Sequence, residues 1–412
     1  MYRDFYIQNT ENQKQAPGKR RQTVKYVAFG LCCAVLGGAI GGLVTGAVSG
    51  KTEPKPKTTL YTGTRPAVVS MVNIDGKKEL SAAEVYASNL GSVVGINGNV
   101  TTNIWGQTVS NAVSGSGFVI SQNGYILTNY HVVKSVSNIT VFFADGTSYD
   151  AALVGGEEEN DIAVLKIEAT GLTPVVLGDS DSVTVGENVY AIGNPLGELT
   201  FTLTGGLVSA KDRSVTSSDG TVINMIQTDT AINSGNSGGP LFDRYGQAVG
   251  IVSAKLSGSN GSSASVEGLG FAIPVNDVRD MVSSIIQNGY VTGKPNLGVI
   301  TGTGNPFVPV QNGKTAGCQV LAVLDGSCAA QSGLQAGDEI IGWNDSKIAS
   351  GSELESAIRG SKAGETVTVS VKRDGQTISL QVKLDEENPE RLAKMTELQN
   401  QYQASRQAVP FW

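Results

Sequence analysis

From residue 82 to residue 290 the chain is cut into short β-prone runs, among them GFVIS, YILTN, ITVFFADG, IAVLKI, NVYAIG and AVGIVSA, by glycine, asparagine, aspartate and serine. Many short strands with turn signals between them, and little helical period, restrict this region to an all-β sandwich or barrel. Composition points the same way. With 52 glycines, 6% aromatic residues and 40% hydrophobic residues, the chain is turn-rich yet apolar enough to build real cores. Its 412 residues leave room for two or three domains. The stretch NDVRDMVSSIIQN at 276–288 reads as one amphipathic helix closing the β region, with Asn276 a candidate N-cap.

The flanks differ in kind. Residues 26–48, YVAFGLCCAVLGGAIGGLVTGAV, carry no charge. A helix of that length rises about 35 Å, enough to cross a hydrocarbon core of about 30 Å. Lys19, Arg20, Arg21 and Lys25 precede it, so the positive-inside bias expects a cytoplasmic tail at 1–25, a transmembrane helix at 26–48 and everything later outside. A cleaved signal peptide is the rival reading, through Ala47-Val48-Ser49. Gly38, Gly42 and Gly46 recur every fourth residue, a spacing that lets helices approach closely or simply marks a glycine-rich span. Residues 49–81, with Lys-Pro-Lys-Pro-Lys, read as a linker. A second domain is expected over 295–385, with strands CQVLAVL, DEIIGWN, TVTVSVKRD and QTISLQVKL and a short helix at ELESAIRG. Residues 386–412 then hold a polar helix opened by Pro389, with Leu392, Met395, Leu398 and Tyr402 near one face, and the apolar end AVPFW.

A net charge of −7 argues against nucleic acid as a partner, because phosphate binding needs a basic face. His131 is the sole histidine. A histidine-rich metal site is thereby excluded, and any imidazole chemistry must use this residue. None of the four cysteines has zinc-ligand spacing.

Three segments of the β region each place one polar residue beside an apolar run: TNYHVV (His131), NDIAVLKI (Asp161) and GNSGGP (Ser237). A serine hydroxyl is a poor nucleophile until a base takes its proton. Histidine, largely neutral at pH 7, suits that task. A carboxylate on its other ring nitrogen fixes the tautomer and stabilises the imidazolium. The glycines around Ser237 let a tight turn aim backbone N–H groups at the oxyanion that forms, and Gly235 is the position expected to need unusual backbone freedom. Each signal alone is weak. Together, on an all-β background, they make a nucleophilic triad that needs no cofactor and no metal. An esterase is disfavoured, because the turn is not a strand-to-helix nucleophile elbow.

With TNYHVV, NDIAVLKI, AIGNPLGELTFTLTGGLVSAKDR, QTDTAINSGNSGGPLF and GLGFAIP, the chain resembles the HtrA/Deg serine proteases. The resemblance covers about 82–385. It implies a chymotrypsin-like double β-barrel protease domain at 82–290, followed by an α+β PDZ domain at 295–385. It also implies His131 as general base, Asp161 as its orienting carboxylate, Ser237 as nucleophile, and an oxyanion hole from Gly235, Asn236 and Ser237. Ile232 matches a specificity-pocket position, and NPLGELTFTL resembles the family's regulatory loop. Ser234 stands where the family usually has proline, giving that loop more freedom. PNLGVI sits at the expected carboxylate-binding loop, so the N–H groups around Leu297, Gly298 and Val299 are expected to receive a peptide C-terminus. Leu297 and Val299 as plain core residues is the alternative.

The expected function is an extracytoplasmic, membrane-tethered endopeptidase that degrades unfolded or mislocalised envelope proteins, and the resemblance implies a homotrimer. The competing reading is a chaperone or peptide-binding scaffold with a mostly latent site. Cys318 and Cys328 are left open between a disulfide and buried thiols. The AVPFW end is left open between a PDZ ligand and a frayed tail.

Overall fold

The computed structural model describes residues 71–104, 107–194, 201–216, 222–254, 268–303 and 318–407, together with Ala34. The expected span at 26–48, Ala34 apart, and the AVPFW end lie outside the described residues, as do residues 195–200 of the NPLGELTFTL stretch. Among the described residues no helix is long and apolar enough to cross a membrane.

A helix unforeseen in the sequence, α1 (Ala82–Asn89), precedes the β region. Ser81 caps it: its hydroxyl accepts the Glu84 N–H at 3.3 Å, and the Glu84 carboxylate accepts the Ser81 N–H at 2.8 Å. That reciprocal pair is a capping box.

Six strands then close a first barrel: β1 (Val93–Ile104), β2 (Gln107–Val119), β3 (Tyr125–Thr128), β4 (Val136–Phe143), β5 (Ser148–Glu157) and β6 (Ile162–Ile167). A four-residue helix, α2 (Tyr130–Val133), follows β3. The second barrel holds β7 (Asn188–Gly193), β8 (Thr202–Thr216), β9 (Val222–Thr228), β10 (Pro240–Phe242), β11 (Ala248–Val252) and β12 (Gly270–Pro274). The first barrel is ordered β1-β2-β3-β6-β5-β4 and the second β7-β8-β9-β12-β11-β10, so the two share one topology. These are the two six-stranded barrels of a chymotrypsin-like fold.

The continuous apolar run IAVLKI of β6 follows from burial on both faces. Ala163, Leu165 and Ile167 pack in one cluster with Val94, Ile126 and Val141 of the first barrel. Ile162 and Val164 point the other way, into a cluster that joins Phe118 and Leu127 to Ile192, Met225 and Phe242 of the second barrel. Each such side chain stabilises by about 1.5–3 kcal/mol when fully buried, so this shared cluster holds the barrels together. Helix α3 (Val275–Asn288) seals it with Val278, Val282 and Ile285 and stops at Gly289, whose φ is 83°. Asn276 is not its N-cap. The helix starts one residue earlier, and Asn276 instead donates through Nδ2 to Asp179 at 2.7 Å and through its N–H to Ser180 at 3.2 Å.

The C-terminal domain is α+β. Strands β13 (Pro295–Asn296), β14 (Val299–Thr303), β15 (Cys318–Val323), β16 (Glu339–Trp343), β17 (Ser346–Lys347), β18 (Thr366–Arg373), β19 (Gln376–Lys383) and β20 (Asp385–Glu386) are joined by α4 (Cys328–Gln331) and α5 (Gly351–Arg359). The main sheet runs β14-β15-β16-β18-β19, with β17 on β16, while β13 pairs with β20. Along β18, Val367, Val369 and Val371 alternate inward, the period of a half-buried strand. Helix α6 (Pro389–Gln407) opens at proline as expected. On its expected apolar face Met395, Leu398 and Tyr402 are half-buried, but Leu392 is 45% exposed. Cys318 and Cys328 are buried free thiols, not a disulfide.

Candidate active site

The three polar residues foreseen in the sequence come from three separate turns and meet where the barrels pack. His131 rides on α2, directly after β3. Asp161 stands between β5 and β6 at φ 53°, a left-handed conformation that non-glycine residues seldom adopt. Its carboxylate accepts the His131 backbone N–H at 2.9 Å through Oδ1. The same carboxylate lies 3.0 Å (Oδ1) and 2.7 Å (Oδ2) from His131 Nδ1. Two nitrogens of one residue thus converge on one carboxylate. The Asp161 side chain is 4% exposed and that of His131 28%, so the acid is buried while the imidazole reaches solvent.

Two partners of Asp161 escaped the sequence reading. Ser253 Oγ donates to Oδ2 at 3.3 Å, and Asn129 Nδ2 donates to the Asp161 carbonyl at 2.9 Å. Asn129 is the second residue of TNYHVV and is findable as a polar neighbour, whereas Ser253 arrives from just past the end of β11 with no local signal.

Ser237 follows a 3-10 turn, Ser234–Asn236, in which the Asn236 N–H meets the Asn233 carbonyl at 2.9 Å. Ser237 is 2% exposed. Its Oγ accepts the Ala254 N–H at 3.1 Å. Among the described residues, no hydrogen bond joins this oxygen to the imidazole. The letters Gly235–Gly239 do spell G-x-S-x-G, but the turn leads into strand β10 and not into a helix, so it is no hydrolase elbow. The backbone freedom of this turn is used at Gly238, with φ 83°; a Cβ there would lie 2.3 Å from the Ser116 carbonyl oxygen and from Thr128 Oγ1. Asn236 is buried, and its Nδ2 donates to the Ala231 carbonyl at 3.2 Å.

Ser116 ties the turn to the first barrel, another residue that sequence reasoning missed inside SGSGF. Its N–H donates to the Ser237 carbonyl at 2.8 Å and its Oγ to the Gly235 carbonyl at 2.6 Å. The same Oγ accepts the Asn194 N–H at 2.9 Å. Ile232 is half-buried against Val189, Val208 and Ile226 of the second barrel, beside Gly270, where a Cβ would fall 2.7 Å from its Cγ1.

The second candidate site lies in the C-terminal domain. Leu297 is 2% exposed, so its side chain belongs to the core and only its backbone is offered to a ligand. Gly298, with φ 78°, turns the chain where a Cβ would meet Ser327 at 2.4 Å, and Val299 starts β14. Cys328 Sγ donates to the carbonyls of Asn296 (3.3 Å) and Leu297 (3.4 Å), bracing this loop. A cavity of about 500 Å³ opens beside it, lined by Leu297, Val299, Ile358 and Arg359 and, from the β5–β6 turn of the first barrel, Glu157 and Asn160.

Residues 115–251 match the family model described as a trypsin-like peptidase domain, and residues 295–384 match a PDZ domain. The Serine protease Do-like HtrA of Lactococcus lactis subsp. lactis is 36% identical over 334 residues, 77% of this chain and 80% of that protein. A Haemophilus influenzae relative named "Probable periplasmic serine protease do/HhoA-like" is 40% identical over 288 residues, 69% of this chain and 60% of that protein. Among solved structures, the HtrA-type protease AlgW with a decapeptide superposes with a TM-score of 0.55 at 32% identity, covering 75% of this chain and all of that one. Two barrels of shared topology, a serine at their junction and a PDZ domain behind them agree with these matches: the chain belongs to the HtrA/Deg family of serine proteases, and it is a serine endopeptidase.

Proposed function

We propose that Ser237 is the nucleophile, His131 its general base and Asp161 the carboxylate that orients the base. The carrying observation is the Asp161 carboxylate, which takes both the backbone N–H and the Nδ1 side of His131. That contact keeps the Nδ1 proton in place and leaves the Nε2 lone pair for the proton of Ser237. As Oγ attacks the scissile carbonyl, the proton passes to Nε2 and the carbonyl oxygen becomes an oxyanion. The N–H groups of Gly235 and Ser237, with Asn236 between them, receive it. The imidazolium then gives its proton to the leaving amine as the C–N bond breaks, and a water deprotonated by the same imidazole cleaves the ester left on Ser237, releasing the acid and restoring the hydroxyl. Ile232 shapes the pocket for the side chain before the cut. The backbone of Leu297, Gly298 and Val299 takes the C-terminus of a peptide, which adds a strand along β14.

The substrates are unfolded or mislocalised envelope proteins. The chain is anchored through residues 26–48 with its protease and PDZ domains outside the cytoplasm, and it assembles as a homotrimer. The periplasmic naming of a relative and the basic residues Lys19–Lys25 before an uncharged run support this location.

A second reading has its own observation. Ser237 Oγ is engaged by the Ala254 N–H and not by the imidazole, which suits a latent site on a peptide-binding scaffold. Casein degradation by the full chain, beside Ser237→Ala and His131→Ala, separates the two. Cleavage lost by several orders of magnitude in both variants supports the triad. An inert wild type that also fails to label with a fluorophosphonate supports the scaffold.

A further inference from the structure

Five residues, Glu157 to Asp161, make the turn that delivers Asp161 to His131, and they fold around one buried carboxylate. Glu157, at the end of β5, is 5% exposed. Its Oε2 accepts the Asn160 N–H at 2.6 Å and Asn160 Nδ2 at 2.8 Å. Its Oε1 accepts the Glu159 N–H at 3.2 Å. Three of its four donors therefore come from the two residues just before Asp161, whose own N–H donates to the Glu158 carbonyl at 3.2 Å. This ring of bonds sets the left-handed backbone at Asp161 and, through it, the two contacts to His131.

The fourth donor comes from elsewhere. Lys294 Nζ reaches Glu157 Oε1 at 2.7 Å. Lys294 immediately precedes β13, and its carbonyl accepts the Glu387 N–H at 2.8 Å, so the lysine is fixed to the PDZ domain. Around the same ammonium stand Glu159 at 3.3 Å and Glu387 at 3.5 Å. Arg359 of α5 holds Glu159 at 3.0 Å, and Glu158 pairs with Lys134 at the rim. Burial alone would push the Glu157 carboxyl up; the ammonium of Lys294 and the Asn160 donors outweigh it and hold the group below its usual range. A neutral Glu157 would carry a proton on one of the oxygens that now accept from the turn, and part of the ring would open.

We propose that Lys294 is a positioning residue for peptide hydrolysis: its ammonium, 2.7 Å from Glu157 Oε1, completes the donor set around that carboxylate and so folds the 157–161 turn that holds Asp161 against His131. The inference rests on the triad reading above. It makes the protease–PDZ junction part of the machinery that places the orienting carboxylate.

The test uses the full chain and a fluorogenic peptide, with kcat, KM and the pH profile read separately. Lys294→Met is expected to lower kcat roughly tenfold to a hundredfold with KM nearly unchanged, as a misplaced catalytic group does. The acid limb of kcat/KM is expected to move to lower pH, because a loosened Asp161 stabilises the imidazolium less. Lys294→Arg keeps the cation and restores most of the rate. Glu157→Gln removes the charge that needs a partner, so adding Lys294→Met to it costs little more. That double variant also keeps the test open if Lys294→Met alone does not fold. Wild-type kcat in Lys294→Met overturns the inference. So does a loss that leaves the acid limb in place, or two losses that simply add. Activity surviving Ser237→Ala would instead refute the triad reading.

Discussion

Ser116 Oγ donates to the Gly235 carbonyl at 2.6 Å, so a side chain of the first barrel holds the turn that precedes Ser237 in the second. The same oxygen accepts the Asn194 N–H, where β7 runs into the NPLGELTFTL stretch. Ser116→Ala removes the donor to Gly235 and the acceptor for Asn194 inside a fully buried site. Leaving such groups unpaired costs about 1–3 kcal/mol. A fall in kcat of about tenfold to a hundredfold is expected, with a smaller change in KM, because the turn matters most once the oxyanion forms. Steady-state kinetics on a fluorogenic peptide read both numbers.

Asp161→Asn should keep the fold and lose the chemistry. An amide is nearly isosteric, but its NH2 group cannot accept the Nδ1 proton and favours the wrong tautomer. The expected loss in kcat is about four orders of magnitude. Ser253→Ala removes only a 3.3 Å bond to Oδ2 and should cost less than about tenfold. The two variants, assayed side by side with their melting temperatures, separate the orienting role of Asp161 from the packing around it.

Gly238→Ala should be far worse than an alanine at an open left-handed glycine. At Gly238 the added Cβ would lie 2.3 Å from the Ser116 carbonyl oxygen, while at Gly171, with φ 73°, nothing lies within 4 Å. Both pay the backbone strain of about 1–2 kcal/mol. Only the first must also displace β2 or β3. Denaturant melts of both variants are expected to show the larger destabilisation, and the only loss of activity, at Gly238. Equal destabilisation would contradict the close packing seen in the turn.

Cys318 and Cys328 predict an insensitivity. Both are buried thiols, and Cys328 donates to the carbonyls of Asn296 and Leu297, in the loop proposed to take a peptide C-terminus. Burial pushes the Cys328 thiol up to about 11, so little thiolate exists to attack an oxidant. Reductant is therefore expected to leave the melting temperature unchanged. Denatured protein kept from air should titrate both thiols without prior reduction. Cys328→Ala should weaken C-terminal peptide binding while leaving casein cleavage in place.

How far the sequence carried these conclusions depends on the range of the interactions involved. His131, Asp161 and Ser237 each sit in a short local pattern, an apolar run broken by one polar residue, and the structure brings all three to the barrel junction. Ser81 and Glu84 also spell a local pattern, the S-x-x-E of a capping box, so the start of α1 is marked in the sequence by its own neighbours. Ser116, Ser253 and the Lys294–Glu157 pair were not legible. The bonds Ser116–Gly235, Ser253–Asp161 and Lys294–Glu157 span between 92 and 137 residues of the chain, and nothing in a serine's or a lysine's neighbours announces a bond of that range. Asn276 failed for a related reason: a polar side chain near a helix start was claimed by Asp179, a residue from another segment.

The PDZ domain carries its own pH signature in Asp338. Arg373 binds its carboxylate with two nitrogens, at 2.6 and 2.7 Å, and the Gln335 N–H adds a third donor at 2.9 Å. Burial pulls the Asp338 pKa up, but Arg373 and Gln335 outweigh it and set it below the usual 3.8. A carboxyl lowered on folding contributes stability that is complete above its unfolded value and is lost as pH falls through the folded one. Removing the carboxylate leaves Arg373 and the Gln335 N–H without their shared acceptor. At neutral pH, Asp338→Asn should therefore melt well below wild type in the PDZ transition. As pH falls below the usual 3.8 and on through the lower folded value, the wild type protonates and loses its advantage, so the two melting curves should converge. Calorimetric scans across that range check both the size of the gap and the direction in which it closes; a gap constant with pH would mean that the stabilisation is packing and not charge.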